Sequence, residues 1–536
     1  MRFPFGLCAL VTCAIVAAWW WLGAPVEIPP SPLQQGEKLH CVSYTPFRRH
    51  QTPLDLSTRV DPRQIEDDFA KLAGLTECVR TYSTNLGLDR VAEIAERYGL
   101  KVMQGLWLGR DPARNRREIE TAIALANRYP NVISSVVVGN EVLLRGELAP
   151  GDLVNIIRAV KTRVSVPVTY ADVWEFWLRF PAGADVVDFL TVHTLPYWED
   201  FPISATDAAS HVESIREKIA AAYPGRRILI GEIGWPSAGR MREGALPSPA
   251  NQSRVISDVL ARAKRGNYRV NVMEAFDQPW KEALEGAVGG HWGVLDADTG
   301  RLKFSGGTPV SNHPHWQLQA AAGVALAAVV FGAGLAARRR AWAANAPMRM
   351  AWIGVAVMAL IPGICAGWAV ENVPIESMGL GGWARSLVMA GLALAAPAAA
   401  AAALMRKTAV PGFALLLGPS KQRPRDRLAL LLGSLFIAVT VIALQVALGL
   451  VFDPRYRDFP FAPLTAAALP FLVIGLIGHR SQGRRGLAET TSASLLGGTA
   501  IYIALNEGFA NWQALWLCAV FVGLAFTLMR ARDVQS

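Results

Sequence analysis

The sequence predicts an α/β chain in two parts, a (β/α)8 TIM barrel followed by an all-α domain of several membrane spans. Three observations carry that expectation. Short apolar runs alternate with amphipathic stretches eight times between residues 39 and 277, and long apolar blocks recur beyond His315. Basic residues then gather in every second gap between those blocks.

The strand-like runs are LHCVSY (39–44), ECVRTY (77–82), KVMQGLW (101–107), VISSVVVGN (132–140), VPVTY (166–170), VDFLTVH (187–193), RRILIGE (226–232) and YRVNVMEAF (268–276). Helical patterns lie between them at 61–73, 88–98, 112–129, 152–164, 172–178, 205–222 and 251–264. Continuous apolar strands separated by helices imply a parallel sheet covered on both faces, and eight repeats suit a closed barrel. The pairs Asp61-Pro62 and Asp111-Pro112 place a capping carboxylate before a proline suited to the first helical turn. Gly99 is a plausible helix stop.

An apolar span of roughly 20 residues crosses the hydrocarbon layer. Candidates are about 5–24, 317–336, 351–370, 384–404, 429–451, 464–478, 488–505 and 511–529. The first runs into Trp19, Trp20 and Trp21 with no small-residue cleavage site, so residues 1–24 read as an uncleaved anchor with the Trp cluster at the outer interface. The LVTC stretch at 10–13 is a poor lipoprotein signal because Thr12 is ill suited to it. Arg338–Arg340 with Arg349, the cluster from Arg406 to Arg427, Arg480 with Arg484 and Arg485, and Arg530 with Arg532 mark the inner side. That places both termini inside and residues 25–315 outside, with residues 316–536 as a membrane domain of about seven further helices.

The formal charge of +10 therefore calls for no nucleic acid. With Arg2, the inner segments hold sixteen Lys or Arg against Asp426 and Asp533, so the remainder of the chain is net acidic. The six cysteines form no disulfide framework, and no Cys/His spacing suggests a metal. Cys8, Cys13, Cys365 and Cys518 fall in apolar spans; Cys41 and Cys78 fall in strands of the outer domain, where either a bridge or two buried thiols is open.

A barrel carries its chemistry at the carboxyl ends of its strands. The ends here are acidic and aromatic: Tyr44, Tyr82, Trp107, Asn140 with Glu141, Tyr170 with Asp172 beyond it, His193, Glu232, and Glu274 with Phe276 and Asp277. Glu141 closes an apolar run after Gly139, and Glu232 closes another after Gly231. Strands four and seven lie across the barrel, so the two carboxylates face each other over its mouth. Paired acids among aromatic platforms suit glycosidic bond cleavage, one protonating the leaving oxygen while the other attacks or stabilises the anomeric carbon. Their mutual repulsion is expected to raise a carboxyl pKa and supply a proton donor near neutrality. The plainer alternative is a strand-end salt bridge, with Arg80 or Lys281 as the partner.

The segments GNE (139–141), GEIGWPS (231–237), VRTYS (79–83), AFDQPWK (275–281) and HWGVLD (291–296) resemble glycoside hydrolase family 17, the β-1,3-glucanases and glucanosyltransferases. The likeness covers roughly residues 39–305. It implies retaining chemistry with Glu141 as general acid/base and Glu232 as nucleophile, no cofactor and no metal. It further implies Asn140 on the sugar 2-hydroxyl, Tyr197 near the nucleophile, and Tyr44, Tyr82, Phe276, Trp280 and Lys281 around the glucan. A Glu is common in the family where Gln278 stands. With its following helices the whole chain resembles bacterial membrane-bound β-(1,6)-glucan synthases that help make periplasmic cyclic β-(1,3),(1,6)-glucans. That resemblance implies an inner-membrane, multi-pass protein with a periplasmic barrel and cytoplasmic termini. The expected partners are β-1,3-glucan as donor and acceptor and the lipid bilayer, with room for a glucan synthase.

Transfer is preferred to hydrolysis on the resemblance and the tether, with Trp174, Trp177 and Trp198 as candidate acceptor-side rings and Trp177 closer to core. A membrane-anchored β-1,3-glucanase is the alternative, and a glucan-binding scaffold or export partner a further one. A nucleotide-sugar transferase would need Asp296 and Asp298 as metal ligands, but these lie on the outer side, away from cytoplasmic nucleotide.

Overall fold

A computed structural model describes residues 2–340, 348–419, 423–477 and 486–530. Arg480, Arg484, Arg485 and Arg532, part of the basis for the inside assignment, lie outside these residues. The chain divides into two compact units: one of Val26–Ala238 and Gly244–Val310, the other of Met1–Pro25, Gly239–Glu243 and Ser311–Ser536.

In the first unit the eight apolar runs become eight parallel strands that close on themselves in chain order. They are β1 (Cys41–Ser43), β2 (Cys78–Arg80), β3 (Lys101–Leu106), β4 (Ile133–Asn140), β5 (Val168–Val173), β6 (Leu190–His193), β7 (Ile228–Ile233) and β8 (Arg269–Val272). Each expected helix forms, the one at 88–98 beginning as a 3-10 turn, Leu88–Arg90, before Val91–Arg97. The helix Pro62–Leu72 buries Ile65, Phe69 and Leu72, one stripe at helical spacing. Asp61 accepts from the Arg63 amide at 2.8 Å, and Asp111 from those of Ala113 and Arg114 at 2.9 and 3.3 Å.

Two strand ends differ from expectation. β5 continues to Val173 because Ala171, Asp172 and Val173 pair with Thr191, Val192 and His193, so Asp172 lies within the strand. β8 stops at Val272, and Glu274, Phe276 and Asp277 follow in a loop held by β-bridge contacts to Leu295 and by the Glu274 amide on the Trp292 carbonyl, 3.2 Å. The register shifts in the last turns of β4–β5, β6–β7 and β7–β8, and such bulges re-aim side chains at a barrel rim.

Cys41 and Cys78 form a disulfide between neighbouring strands β1 and β2, which resolves the open alternative in favour of the bridge. Asp296 caps a turn, accepting from the amide and hydroxyl of Thr299 at 2.7 Å each, while Asp298 pairs with Arg49.

The second unit is helical. Helices occupy all eight expected spans, and among the described residues six of them are long and apolar enough to cross a membrane: Phe3–Leu22, Trp316–Arg339, Arg349–Glu376, Gly379–Arg406, Arg427–Phe452 and Trp512–Arg530. Phe461–Ile477 is shorter, and Leu487–Glu507 carries Glu489, Thr490, Thr491, Ser492 and Ser494 in its first turns. Small residues bring helices together, as expected of an Ala- and Gly-rich bundle: a Cβ on Gly363 would lie 3.0 Å from the Gly323 carbonyl and 2.7 Å from Ile15. Trp20 and Trp21 project outward, but Trp19 is buried against His313 and Trp368, so the anchor's Trp cluster is split between surface and core.

The bridge closes a 37-residue separation. Replacing Cys41 and Cys78 together by Ser is expected to lower barrel stability by about 3–4 kcal/mol, from the lost constraint on the unfolded chain. Urea unfolding followed by tryptophan fluorescence measures it.

Candidate active site

The apolar run of β7 ends in an acid because a cation waits for it across the barrel. Arg80, the last residue of β2, is fully buried, and its Nη1 donates to Glu232 Oε1 at 3.1 Å and to the Gly231 carbonyl at 2.7 Å. Its Nη2 donates to Asn140 Oδ1 at 2.6 Å, and its guanidinium lies over the Tyr82 ring, 4.7 Å from the centroid. Tyr82 donates to Glu232 Oε1 at 2.8 Å and also meets Ser43 Oγ at 2.7 Å. Asn271 ties that serine to the Gly231 carbonyl, each at 2.8 Å. A Cβ on Gly231 would collide with Thr191 and His193, so the close approach needs glycine.

Glu141 follows β4 with φ 52°, and Gly139 before it has φ 86°. The left-handed backbone at a glutamate costs roughly 1–2 kcal/mol and turns its carboxylate inward. His193 Nδ1 lies 2.8 Å from Glu141 Oε1, and its Nε2 lies 3.2 Å from Arg80 Nη1 and 3.5 Å from Glu232 Oε1. Arginine has only donors, so in the neutral ring Nε2 accepts and Nδ1 carries the hydrogen given to Glu141. Ligating atoms of Glu141, His193 and Glu232 all fall within 4.8 Å of one another. That spacing would admit a cation, but the Arg80 guanidinium already holds the Glu232 oxygen and faces Nε2. The trio fits a proton-linked site better than a metal set.

Electrostatics separate the acids. Burial raises the Glu141 carboxyl, yet the His193 hydrogen bond and the positive charges around it, Arg80 and Arg145 among them, outweigh burial and hold it below its ordinary range. Mutual repulsion therefore does not make Glu141 a neutral-range acid in the free site, contrary to expectation. Burial instead lifts Asp172 to about 6, with the charge of Glu141 adding to it. Burial also raises Glu274 and Glu285, despite the charge of Lys281.

Of the residues expected here, Asn140, Glu141, Tyr82 and Glu232 converge on Arg80 and His193. Lys281 meets Glu274 at 2.8 Å, and Thr45 holds the other oxygen of Glu274 at 3.0 Å. Trp280 is half-buried and donates to Gln278 Oε1 at 2.8 Å. Gln278 in turn donates to the carbonyls of Thr45 and Phe276 at 2.6 and 3.1 Å, a task a carboxylate cannot perform. Tyr197 is buried among Trp198, Trp235 and Trp292.

Tyr44 and Phe276 depart from expectation, lying in the core rather than along a cleft. The Tyr44 hydroxyl donates to buried Asp68 at 2.9 Å, and Arg48, paired with Asp68, covers the Phe276 ring at 4.8 Å. Trp177 is core too, donating to the Thr191 carbonyl at 3.0 Å. Trp174 reaches Glu199 at 3.3 Å, and Trp198 stacks on Trp292. Sequence reading gave Arg80 only as a salt-bridge partner and His193 only as a strand end. A buried-strand arginine is the signal that would have singled out the first.

A closed parallel barrel with opposed carboxylates at the carboxyl rim is the architecture of a glycosidic enzyme. Residues 41–293 match the family described as the BtgE/BtgC glycoside hydrolase domain, which bears out the glycoside hydrolase resemblance in this half of the chain. A glucan 1,3-beta-glucosidase of Candida albicans is 26% identical over 278 residues, covering 47% of this chain and 88% of its own length. A probable beta-glucosidase, btgE, of Aspergillus fumigatus is 25% identical over 262 residues, covering 48% of this chain; the chain spans 45% of that relative. Among solved structures, a glycoside hydrolase family 17 beta-1,3-glucanosyltransferase from Rhizomucor miehei is 29% identical, with a TM-score of 0.43 over 48% of this chain and 94% of its own.

Arg80→Ala leaves Glu232 buried without its cation and is expected to destabilise the barrel by about 3–5 kcal/mol. Arg80→Met combined with Glu232→Gln removes both charges and should recover part of that loss. Urea midpoints of the two variants check the order.

Proposed function

We propose that the chain is a membrane-anchored retaining β-glucan transglycosylase that acts on β-1,3-glucan by double displacement. The observation that carries this reading is the separation of the two acids, an oxygen of each within 4.8 Å of the other. Retaining glycosidases place their carboxyl groups about 5–5.5 Å apart, whereas inverting enzymes leave room for a water between them. The names of the Candida and Aspergillus relatives support a β-glucoside substrate, and the first specifies the 1,3 linkage.

In the proposed reaction the Glu232 carboxylate attacks the anomeric carbon as Glu141 gives its proton to the departing glycosidic oxygen. The carbon–oxygen bond breaks and a covalent glucosyl-enzyme forms. Glu141, now a carboxylate, takes the proton of an acceptor hydroxyl, whose oxygen displaces Glu232. Arg80 and Tyr82 donate to the Glu232 carboxylate, orient it for attack and stabilise it as it leaves. Arg80 occupies Asn140 Oδ1, which turns the Asn140 Nδ2 donor toward the 2-hydroxyl of the sugar. Sugar acceptors give β-1,3 or β-1,6 linkages, and water gives hydrolysis.

The division proposed is residues 1–24 as anchor, 25–315 as the catalytic domain and 316–536 as the membrane domain. The six long apolar helices support membrane attachment. An inner-membrane site, with the barrel in a bacterial periplasm and a glucan synthase nearby, belongs to the same proposal. A β-1,3-glucanase is the alternative, favoured if water outcompetes sugar for Glu141.

Glu232→Gln is expected to abolish covalent trapping by a fluorinated glucoside, and mass spectrometry of the wild type should find the label on Glu232. Label on any other acid defeats the assignment. Glu141→Gln should slow poor leaving groups by about 10²–10⁴-fold and activated aryl glucosides far less. Incubation with laminarioligosaccharides separates transfer, which gives longer or branched products, from hydrolysis, which gives only shorter ones.

His193→Ala removes the donor that favours ionised Glu141, so Glu141 keeps its proton to higher pH. The high-pH limb of kcat/KM should move upward, while the circular dichroism spectrum stays that of the wild type. An unmoved limb means that His193 does not set the proton on Glu141.

A further inference from the structure

The opposite end of the same barrel holds a second site. Where the strands begin, a cavity of about 610 Å³ opens above a plug formed by Cys41, Cys78, Met103, Val137, Ala171 and Leu229. Its wall carries His40, Lys101, Arg216, Arg226, Arg227 and Arg269 against one acid, Glu77. Amino ends of barrel strands are ordinarily read for stability rather than chemistry, so the concentration of charge calls for its own explanation.

Two features of this pocket bear on its occupant. Among the described residues, none of its four arginines nor Lys101 lies within ion-pair distance of a carboxylate, whereas Arg97, Arg163 and Arg262 of this unit each pair with a glutamate. The nearby acids are engaged elsewhere, Glu213 with Arg262 and Asp188 with Lys161. Second, two buried donors on the wall have no acceptor: Tyr268 Oη and Arg216 Nε. Arg216 stacks over the Tyr268 ring at 4.6 Å, so the two orphans are neighbours. Buried polar groups are usually satisfied, and these two orphans lie side by side on one cavity wall. Lys101 and Arg226 each reach a backbone carbonyl, of Asn131 at 2.6 Å and Val187 at 2.8 Å, which spends one donor apiece and neutralises no charge. Burial and the charge of Arg269 push His40 down to about 4, as expected inside a strongly positive cavity.

We propose that this cavity is an anion site that takes a phosphoryl group, with the guanidinium groups of Arg216, Arg227 and Arg269 on its wall donating to its oxygens and neutralising it. Several guanidinium groups around one cavity match a multiply charged tetrahedral oxyanion better than a single carboxylate, because each fork supplies parallel donors. The volume lies within the range of small-molecule sites. The phosphoryl group can come from a soluble phosphate compound or from the headgroup of an anionic lipid. This site is independent of the glucan chemistry, since no residue of it touches Glu141 or Glu232.

The test uses the full chain in a neutral maltoside detergent. Inorganic phosphate and pyrophosphate are titrated by calorimetry, and mixed micelles containing phosphatidylglycerol are compared with phosphatidylcholine in a second arm. Saturable binding is expected in at least one arm, weakened by added salt and by at least about tenfold in Arg227→Gln/Arg269→Gln, a loss of the size charge-assisted contacts carry. Both replaced residues are exposed, so the variant should fold, and its glucan cleavage should equal that of the wild type. Binding of the soluble anions assigns a soluble ligand, and binding confined to phosphatidylglycerol assigns a headgroup. No saturable binding in either arm, or equal binding by the variant, overturns the proposal.

Discussion

The constraint on which the barrel's chemistry depends is the burial of one guanidinium. Arg80 has no exposed surface, and a cation taken from water so completely is tolerable only when its charge is paired and its terminal nitrogens are met, as they are here although Nε has no partner. Its partners come from three other strands: Asn140 ends β4, His193 ends β6, and Gly231 with Glu232 lies in β7. Slipping any of these strands by one residue would turn its partner out of the barrel. The ion pair therefore does more than close a strand end. It converts the registers of four strands into a fixed position for two acids, so the salt bridge and the proposed catalytic arrangement are one structure.

The same cation acts on the two acids by different routes. Glu232 is its direct partner and gains a second donor from Tyr82, so its side chain is held in place. Glu141 is reached through His193, whose ring lies between Arg80 and the carboxylate. Replacing the histidine by a residue without two ring nitrogens would break that relay and leave the direct pair intact. Around them Asp172, Glu274 and Glu285 are all raised by burial.

Much of this was legible in the sequence because periodicity reports burial directly. The eight apolar runs and the intervening helices follow from which residues must leave water, and Glu141 and Glu232 stood out by ending such runs. Strand ends were less legible: β5 gains Asp172 and β8 loses Glu274 through bulges and loop hydrogen bonds that involve distant residues. Tyr44 and Phe276 show the limit from the other side. Their place at strand ends suggested a sugar platform, but Asp68 and Arg48, contributed by another helix and loop, draw one and cover the other. The disulfide was equally undecidable, since two cysteines in adjacent strands look the same reduced or bridged. Gln278 shows the reverse case, a departure from a family pattern whose cause is local, since two carbonyls there need a donor.

On the proposed mechanism, Glu141 must be an acid in the first displacement and a base in the second, yet the free site favours its ionised form. Substrate resolves the conflict. A sugar laid against Glu141 adds no charge, displaces water and deepens desolvation, the largest influence in the site that raises this carboxyl. The departing oxygen, at hydrogen-bonding distance, further favours the protonated form, which alone can donate to it. Once Glu232 is esterified its negative charge is gone, and the cations that shared their field with it act on Glu141 alone. The carboxyl then falls back toward the base that the second displacement needs. A residue poised low in the empty site is thus suited to both roles, because each intermediate moves it in the direction the next step requires.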